Sequence, residues 1–220
     1  MEKEDELLLV MEDLNASGYP IRKTPDSVTI EDARGCLDWL ANLHANWMSK
    51  SPEGLWEIGT YWHLDTRPDE WNRMGNEKLK KNAQSIDIAL QRAHFQTLVH
   101  GDAKLANFCF GAGKGVAAVD FQYVGKGCGM KDVAYFISSC FDERDCEQYA
   151  DELLNHYFAR LEMRINNNFS FQLLKDEWMK LYPFAWADLY RFLDGWSPGH
   201  WKLHAYSEKQ MIKVLNQLNQ

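Results

Sequence analysis

The chain has 220 residues, which fits one domain or one large lobe with a real hydrophobic core. Apolar residues make up 45% of it and aromatic residues 13%, which argues against a disordered protein. The formal net charge is -8 and no Lys/Arg-rich run occurs, so the electrostatic footprint of a nucleic-acid-binding protein is missing.

The first residues also bear on location. The chain starts with MEKEDELLLV, an acidic segment whose apolar run is too short for a signal peptide or a membrane span. The Cys count is 5, without a CxxC pair, which favours free thiols in a reducing compartment. We therefore expect a cytoplasmic protein with no membrane partner and no nucleic-acid partner.

The N-terminal half alternates loops with helical patterns. Residues 7–10 form a short apolar run that predicts a buried strand. Thr29 and Asp32 resemble a capping box, and an apolar stripe at helical spacing follows them. His44 lies on that stripe and is interpreted as a packed histidine. A second helix is predicted over residues 70–93.

The middle of the chain has a different texture. Short β-type runs occupy residues 98–99, 108–110 and 116–121, separated by Gly-rich turns. Residues 111–115 read GAGKG, but Lys114 is followed by Gly instead of Ser or Thr, and the spacing of a phosphate loop is absent. We interpret this segment as a hairpin turn.

A helical pattern returns after Gly129. An i, i+4 stripe runs from Tyr149 to Leu161, and Ser207 with Gln210 forms a capping box before a last apolar stripe. The predicted fold class is therefore α+β and mostly α, with a small central β-hairpin.

Some Trp and His residues near the C-terminus have two readings. Trp186, Trp196 and Trp201 are equally compatible with core packing and with lining a substrate pocket. His200 and His204 have a spacing that could bind metal, but no third ligand is evident, which favours a structural role.

The segment that carries chemistry is VHGDAKLANF at positions 99–108, followed by VAAVDFQ at positions 116–122. Asp102 ends the tripeptide HGD, whose Gly permits a sharp backbone path. Asn107 lies at the start of one β-type run and Asp120 at the end of the next. A hairpin would bring Asn107 and Asp120 together at one end.

This layout predicts phosphoryl transfer. An Asn amide oxygen and an Asp carboxylate are hard oxygen ligands, suited to a Mg²⁺ ion that also holds phosphate oxygens. Asp102 would lie beside them, placed to accept a proton from an attacking hydroxyl. A metal-dependent phosphoesterase is a weaker interpretation, because it would need more converging carboxylate or His ligands.

The motif HGD-x4-N followed by DFQ resembles the aminoglycoside phosphotransferase and choline kinase group. The likeness is greatest to its ecdysteroid-kinase-like, or CHK kinase-like, branch. Three other segments are similar to that branch: LLLVMEDL at 7–14, GCGMKDVAYF at 127–136 and RFLDGWSPGHWK at 191–202. The resemblance implies a protein-kinase-like fold and the use of ATP and Mg²⁺.

The resemblance also implies roles for individual residues. It makes Asp102 the catalytic base and makes Asn107 and Asp120 the ligands of Mg²⁺. Lys104 falls where many protein kinases place a Lys that contacts phosphate.

Further roles concern the support of the site and the nucleotide. By the same resemblance, Asp132 would brace the backbone of the catalytic loop from the start of a helix, and His100 is interpreted as a structural residue of that loop. The hinge-like strand would offer main-chain groups at Val10, Met11 and Glu12 to adenine.

In a complete member of this group, an N-terminal lobe precedes the hinge. Since the hinge-like strand begins by residue 7, we expect residues 1–14 to be a hinge strand and linker remnant. Residues 15–220 would be the C-terminal lobe, which carries catalysis and binds substrate. The N-terminal lobe would be largely absent, and the exposed face would promote self-association.

The expected function is ATP- and Mg²⁺-dependent phosphorylation of a hydroxyl on a small molecule, by a truncated form that is weakly active alone. The alternative is a non-catalytic binding module derived from such a kinase. The identity of the acceptor is open: sterol, choline-like amine and aminoglycoside all fit the sequence.

Overall fold

The computed structural model describes residues 10–113, 115–165 and 169–219. In those ranges the helices are α1 (Ile30–Asn46), α2 (Pro68–Arg73), α3 (Glu77–Gln91), α4 (Met130–Cys140), α5 (Glu143–Glu162), α6 (Phe171–Trp196) and α7 (Ala205–Leu218). The strands are β1 (Thr97–Val99), β2 (Phe108–Gly111), β3 (Gly115–Ala118) and β4 (Gly125–Gly127). A mostly helical fold with small antiparallel sheets is thus confirmed.

Helix α1 begins where the sequence predicted it. The Thr29 hydroxyl accepts a hydrogen bond from the N–H of Asp32 at 3.1 Å, and the Asp32 carboxylate accepts one from the N–H of Thr29 at 3.0 Å. This capping box satisfies two backbone donors that a helix start leaves free. The apolar side of α1 is buried and packs against α5.

The single helix predicted over residues 70–93 is wrong, because the chain breaks there into α2 and α3. A carboxylate oxygen of Asp194 in α6 accepts hydrogen bonds from the N–H of Gly75 at 2.8 Å and of Asn76 at 2.9 Å. The Asn76 side chain then caps α3 by accepting from the N–H of Leu79 at 3.0 Å. The break depends on a distant residue, so the local pattern does not contain it.

The strands form two separate antiparallel pairs. Strands β2 and β3 pair with Phe108 opposite Ala118 and Gly111 opposite Gly115, which confirms the predicted hairpin and its turn. The run predicted to continue to residue 121 leaves the strand after Ala118. Strands β1 and β4 form the second pair, with Thr97 opposite Gly127.

The C-terminal half provides most of the core. Helix α4 is buried along its whole length, and α6 packs against α2, α3, α4 and α7. All five cysteines are buried and free: Cys36, Cys109, Cys128, Cys140 and Cys146. Among the described ranges, no helix combines the length and apolarity that crossing a bilayer requires.

Helix α7 starts earlier than the predicted capping box of Ser207 and Gln210. His204 is its N-cap: Nδ1 accepts from the N–H of Ser207 at 3.3 Å, and the Ser207 hydroxyl accepts from the N–H of His204 at 3.0 Å. Ser207 therefore lies inside the first turn, and His204 has the structural role that the sequence favoured.

The hinge-like N-terminal segment is described only in part. Residues 7–9 lie outside the described residues. Val10, Met11 and Glu12 are exposed and form no regular secondary structure. A boundary between residues 14 and 15 stays a prediction.

A contact between α2 and α6 yields a stability prediction. A Cβ on Gly195 would overlap the carbonyl group of Glu70, so Gly195→Ala should force the two helices apart. We expect the free energy of unfolding to fall by about 1–3 kcal/mol, as in other overpacked cores. The gain in helix propensity, up to about 1 kcal/mol, opposes this loss.

Gly35 in α1 is the matched control. A Cβ there would lie 3.3 Å from the Cγ2 of Val116, a side chain that can adjust. Urea unfolding of Gly195→Ala and Gly35→Ala measures both effects. An equal or smaller loss for Gly195→Ala would contradict the prediction.

Candidate active site

The segment from His100 to Asn107 joins β1 to β2, and we call it the HGD loop. Its start is held by Asp132, in the first turn of α4. One carboxylate oxygen of Asp132 accepts from the N–H of His100 at 2.6 Å, and the other accepts from the N–H of Gly101 at 3.0 Å. One buried carboxylate thus orients two consecutive peptide groups of the loop.

Asp132 is itself oriented by His44. The Nε2 of His44 donates to Asp132 at 3.1 Å, while its Nδ1 pairs with the hydroxyl of Tyr157 at 2.7 Å. Burial raises the pKa of Asp132, but the His44 hydrogen bond and charge, His100 and the Gly101 N–H together lower it below the usual value. His44 is therefore packed, as predicted, and is also a hydrogen-bond partner that helical periodicity could not reveal.

The other end of the loop is held by the same helix. The hydroxyl of Ser139 accepts from the N–H of Leu105 at 2.7 Å and donates to the carbonyl of Phe136 at 2.7 Å. Asp132 and Ser139 lie about two turns, or about 10 Å, apart along α4. The sequence analysis missed Ser139, whose only signal is its place on the same helical face as Asp132.

The HGD loop needs glycine and histidine for separate reasons. Gly101 has a φ of 81°, and a Cβ there would overlap the backbone carbonyl of Tyr123. The Nε2 of His100 donates to the carbonyl of Val119 at 3.0 Å, so its Nδ1 is free to accept from the N–H of Asp102 at 3.3 Å. His100 ties the HGD loop to the residue before Asp120.

Asp102, Lys104 and Asn107 meet inside the loop. One oxygen of Asp102, Oδ2, accepts from the Nζ of Lys104 at 2.7 Å and from the Nδ2 of Asn107 at 3.0 Å. Nδ2 of Asn107 also donates to the backbone carbonyl of Asp102 at 2.8 Å. Because both partners are acceptors, the amide nitrogen must face Asp102, and the amide oxygen faces away from it.

The second carboxylate oxygen of Asp102, Oδ1, is buried and has no hydrogen-bond partner among the described residues. A buried acceptor without a donor costs about 1–3 kcal/mol. Tyr135 lies close enough that Tyr61 and Asp102 both raise its pKa, after the larger effect of burial. The pKa of Tyr61 is raised to about 12, mainly by burial. Both phenols therefore stay protonated near neutrality, next to the carboxylate.

Asp120 differs from Asp102 in its exposure and in its backbone conformation. It is exposed, and its φ of 68° is in the left-handed region, which non-glycine residues adopt mainly at strained or functional positions. The N–H of Val119 donates to the carbonyl of Asn107 at 2.9 Å. That bond extends the β2–β3 hairpin and places Asn107 and Asp120 at its same end.

The donor set at this end fits a magnesium ion held jointly with a nucleotide. The Asn107 amide oxygen and the Asp120 carboxylate are hard oxygen donors, and the described residues offer Asp120 no hydrogen bond that would occupy it. The described ranges contain no group of three or more His, Cys, Asp or Glu able to hold a metal ion by itself. The ion would take its remaining ligands from phosphate oxygens and water.

A cavity of about 550 Å³ opens beside Asp102. Its lining includes aromatic side chains from three parts of the chain: Tyr61, Tyr123, Tyr135, Trp196 and Trp201. Trp186, by contrast, is buried in the core. Core packing therefore holds for Trp186, and lining of the cavity holds for Trp196 and Trp201.

The cavity is also lined by Lys104, Ser139, His200 and Lys202. Val10, Met11 and Glu12 do not line it, and their role as adenine contacts stays a prediction.

Residues 60–167 match the model of the ecdysteroid kinase-like family. The matched range contains Asp102, Asn107 and Asp120, so the resemblance predicted from HGD-x4-N and DFQ is confirmed. No curated protein matches the sequence.

Among solved structures, the chain is similar to that of the microcompartment-associated aminopropanol kinase, with a TM-score of 0.47 and 17% sequence identity. The similarity covers 87% of this chain and 61% of the other, so this chain spans about three-fifths of the length of that kinase.

The anchor at Asp132 yields a prediction about pH. An Asn side chain offers one acceptor oxygen, so Asp132→Asn would set its amide nitrogen against a loop N–H. We expect the free energy of unfolding to fall by about 3 kcal/mol at pH 7, since a buried N–H loses a hydrogen bond to a charged acceptor and is left without a partner. Asp151→Asn, an exposed residue of α5, is the control and should change little.

The sign of the pH dependence follows from the lowered pKa of Asp132. The stability that this carboxylate contributes is present above the unfolded pKa of about 3.9 and is lost as pH falls through the lower folded value. We therefore expect the difference in the free energy of unfolding between the parent and Asp132→Asn to shrink from pH 7 to acid pH, as measured by denaturant unfolding. A constant difference would disprove the assigned ionisation.

Proposed function

We propose that this chain is an ATP- and Mg²⁺-dependent phosphotransferase that acts on a hydroxyl group of a small molecule. The observation that carries the proposal is the state of Asp102. This carboxylate lines a cavity and is fixed through one oxygen by Lys104 and Asn107; its other oxygen has no hydrogen bond of normal geometry among the described residues, although the Tyr135 hydroxyl lies nearby. The ecdysteroid kinase-like match over residues 60–167 supports the same reaction class.

In this proposal Asp102 is the base. The acceptor hydroxyl would donate to its carboxylate, and the proton would move to Asp102 as the acceptor oxygen forms its bond to the γ-phosphorus and the bond from that phosphorus to the ADP oxygen breaks, so that ADP leaves. The two hydrogen bonds to Oδ2 keep the carboxylate in one orientation, so positioning is already achieved before the acceptor arrives.

The magnesium ion would be held by the Asn107 amide oxygen and the Asp120 carboxylate, and it would neutralise charge on the phosphates. Lys104 is a partner of Asp102 and also lines the cavity, which fits a phosphate contact. The protein's own contribution is to keep these groups at one end of the hairpin.

We also propose that the described residues form the C-terminal lobe of a kinase-like fold, with Val10, Met11 and Glu12 as its nucleotide contacts. The alternative is a non-catalytic binding module that has lost nucleotide binding, and it is favoured by the exposure of these three residues, which form no regular secondary structure. Calorimetric titration with Mg-ATP separates the two, since such a module would bind no nucleotide.

The role of Asp102 predicts the effect of Asp102→Asn. The variant should fold normally and lose about 10²–10⁴-fold in transfer rate, because a positioned base is removed while the shape is kept. Transfer of the γ-phosphate from Mg-ATP to a panel of neutral, cationic and anionic small alcohols is the measurement. Asp151→Asn is the matched control, and equal rates for all three chains would exclude Asp102 as base.

The role of Asp120 predicts a change in metal dependence. Asp120→Ala should weaken binding of Mg-ATP and leave binding of ATP in excess chelator unchanged, because the carboxylate acts only through the ion. Calorimetry with and without Mg²⁺ measures both. If Asp120→Ala keeps the full Mg²⁺ dependence of nucleotide binding, Asp120 is no ligand.

A further inference from the structure

Among the described residues, one lysine of the cavity has no carboxylate partner. Lys202 follows α6, is 8% exposed, and forms no ion pair within the described ranges. The other cavity lysines differ: Lys23 pairs with Asp32 at 3.1 Å, and Lys104 pairs with Asp102 at 2.7 Å.

The surroundings of Lys202 hold it at the cavity wall. Its Nζ lies 4.4 Å from the ring centroid of Tyr135 and 5.7 Å from that of Trp201. Aromatic faces attract an ammonium group but cannot neutralise it. Burial lowers the pKa of Lys202 to about 8, with Lys104 lowering it further and Cys140 and Asp102 opposing the shift.

A buried ammonium without a counter-charge is unfavourable unless a ligand supplies one. The charged residues lining the cavity in the described part of the chain are Lys23, Asp102, Lys104 and Lys202. The negative charge of Asp102 is already balanced by its ion pair with Lys104, so a cationic ligand would meet the unbalanced positive charge of Lys202. An anionic ligand would meet the counter-charge that Lys202 lacks.

We propose that Lys202 is the anion-recognition group of this cavity, and that the acceptor carries an anionic oxygen group, such as a phosphate, sulfate or carboxylate, beside the hydroxyl that is phosphorylated. Calling the ligand an acceptor rests on the proposed function; the anion site itself does not. The specificity disfavours choline-like amines and aminoglycosides, which are cations.

Sulfate is the probe for the test, because a fully ionised oxyanion needs no assumption about the acceptor. Titration of the whole chain with sodium sulfate can be followed by calorimetry and by the fluorescence of Trp196 and Trp201, which line the cavity. Lys202→Met, with a side chain of similar length, should weaken sulfate binding at least tenfold. Lys126→Met, an exposed lysine outside the cavity, should bind as the parent does.

Thermal unfolding gives a second readout. Without sulfate, Lys202→Met should melt at a higher temperature than the parent, because a buried unpaired charge is removed. Sulfate stabilises folded proteins in general, so it should raise the melting temperature of all three chains, but by more for the parent and Lys126→Met than for Lys202→Met, because only the first two also bind it at the site.

The remaining arms separate the sources of the anion. Sulfate binding that persists with Mg-ATP present supports an acceptor site, whereas competition between them assigns Lys202 to the nucleotide and overturns the proposal. Unchanged sulfate binding by Lys202→Met, or equal binding of tetramethylammonium by the parent, also overturns it. If sulfate binding depends on Lys202 but no alcohol is phosphorylated, the anion site stands and the proposed function fails.

Discussion

The Asp132 carboxylate bonded to the N–H groups of His100 and Gly101 is the interaction on which the site depends. A carboxylate buried in α4 is unfavourable without hydrogen-bond donors, and buried peptide N–H groups are unfavourable without acceptors. His44 completes the carboxylate's shell, and the hydroxyl of Tyr157 in turn holds His44. The path of the HGD loop is therefore fixed by buried groups of the core, which do not contact a substrate.

The two aspartates of the proposed reaction have opposite environments for a physical reason. Asp102 is buried and hydrogen-bonded, which suits a group that must already be aligned when an acceptor enters. Asp120 is exposed and has a left-handed backbone, which suits a group whose partner arrives with the ligand. In the proposed reaction, Asp102 is thus positioned before the ligand binds, and the surroundings of Asp120 are completed when the ligand binds.

Several elements of the fold and of the candidate site could be predicted from local sequence. The capping box at Thr29, the hairpin between Phe108 and Ala118, and the proximity of Asn107 to Asp120 follow from short-range patterns. The break between α2 and α3 could not, since it depends on Asp194, far along the chain.

The supporting contacts were hidden for the same reason. His44 meets Asp132 and Ser139 meets Leu105 only after helices pack, and no spacing in the sequence encodes those pairs. The unpaired state of Lys202 is likewise a property of the folded cavity, because any lysine looks exposed and solvated in a sequence. Motifs predict the reacting groups, and tertiary structure decides which residues hold them and which face them.

Helix α4 has one more consequence, for how this chain can vary. Asp132, Tyr135 and Ser139 lie on one face of it, so the same helix holds both ends of the HGD loop and forms a wall of the cavity. An insertion or deletion of one residue between Asp132 and Tyr135 would rotate the positions that follow it by about 100° relative to Asp132. Ser139 and Tyr135 would then turn away together. The loop and the cavity wall must accordingly be inherited as a unit of fixed length, while substitutions can still tune each residue separately.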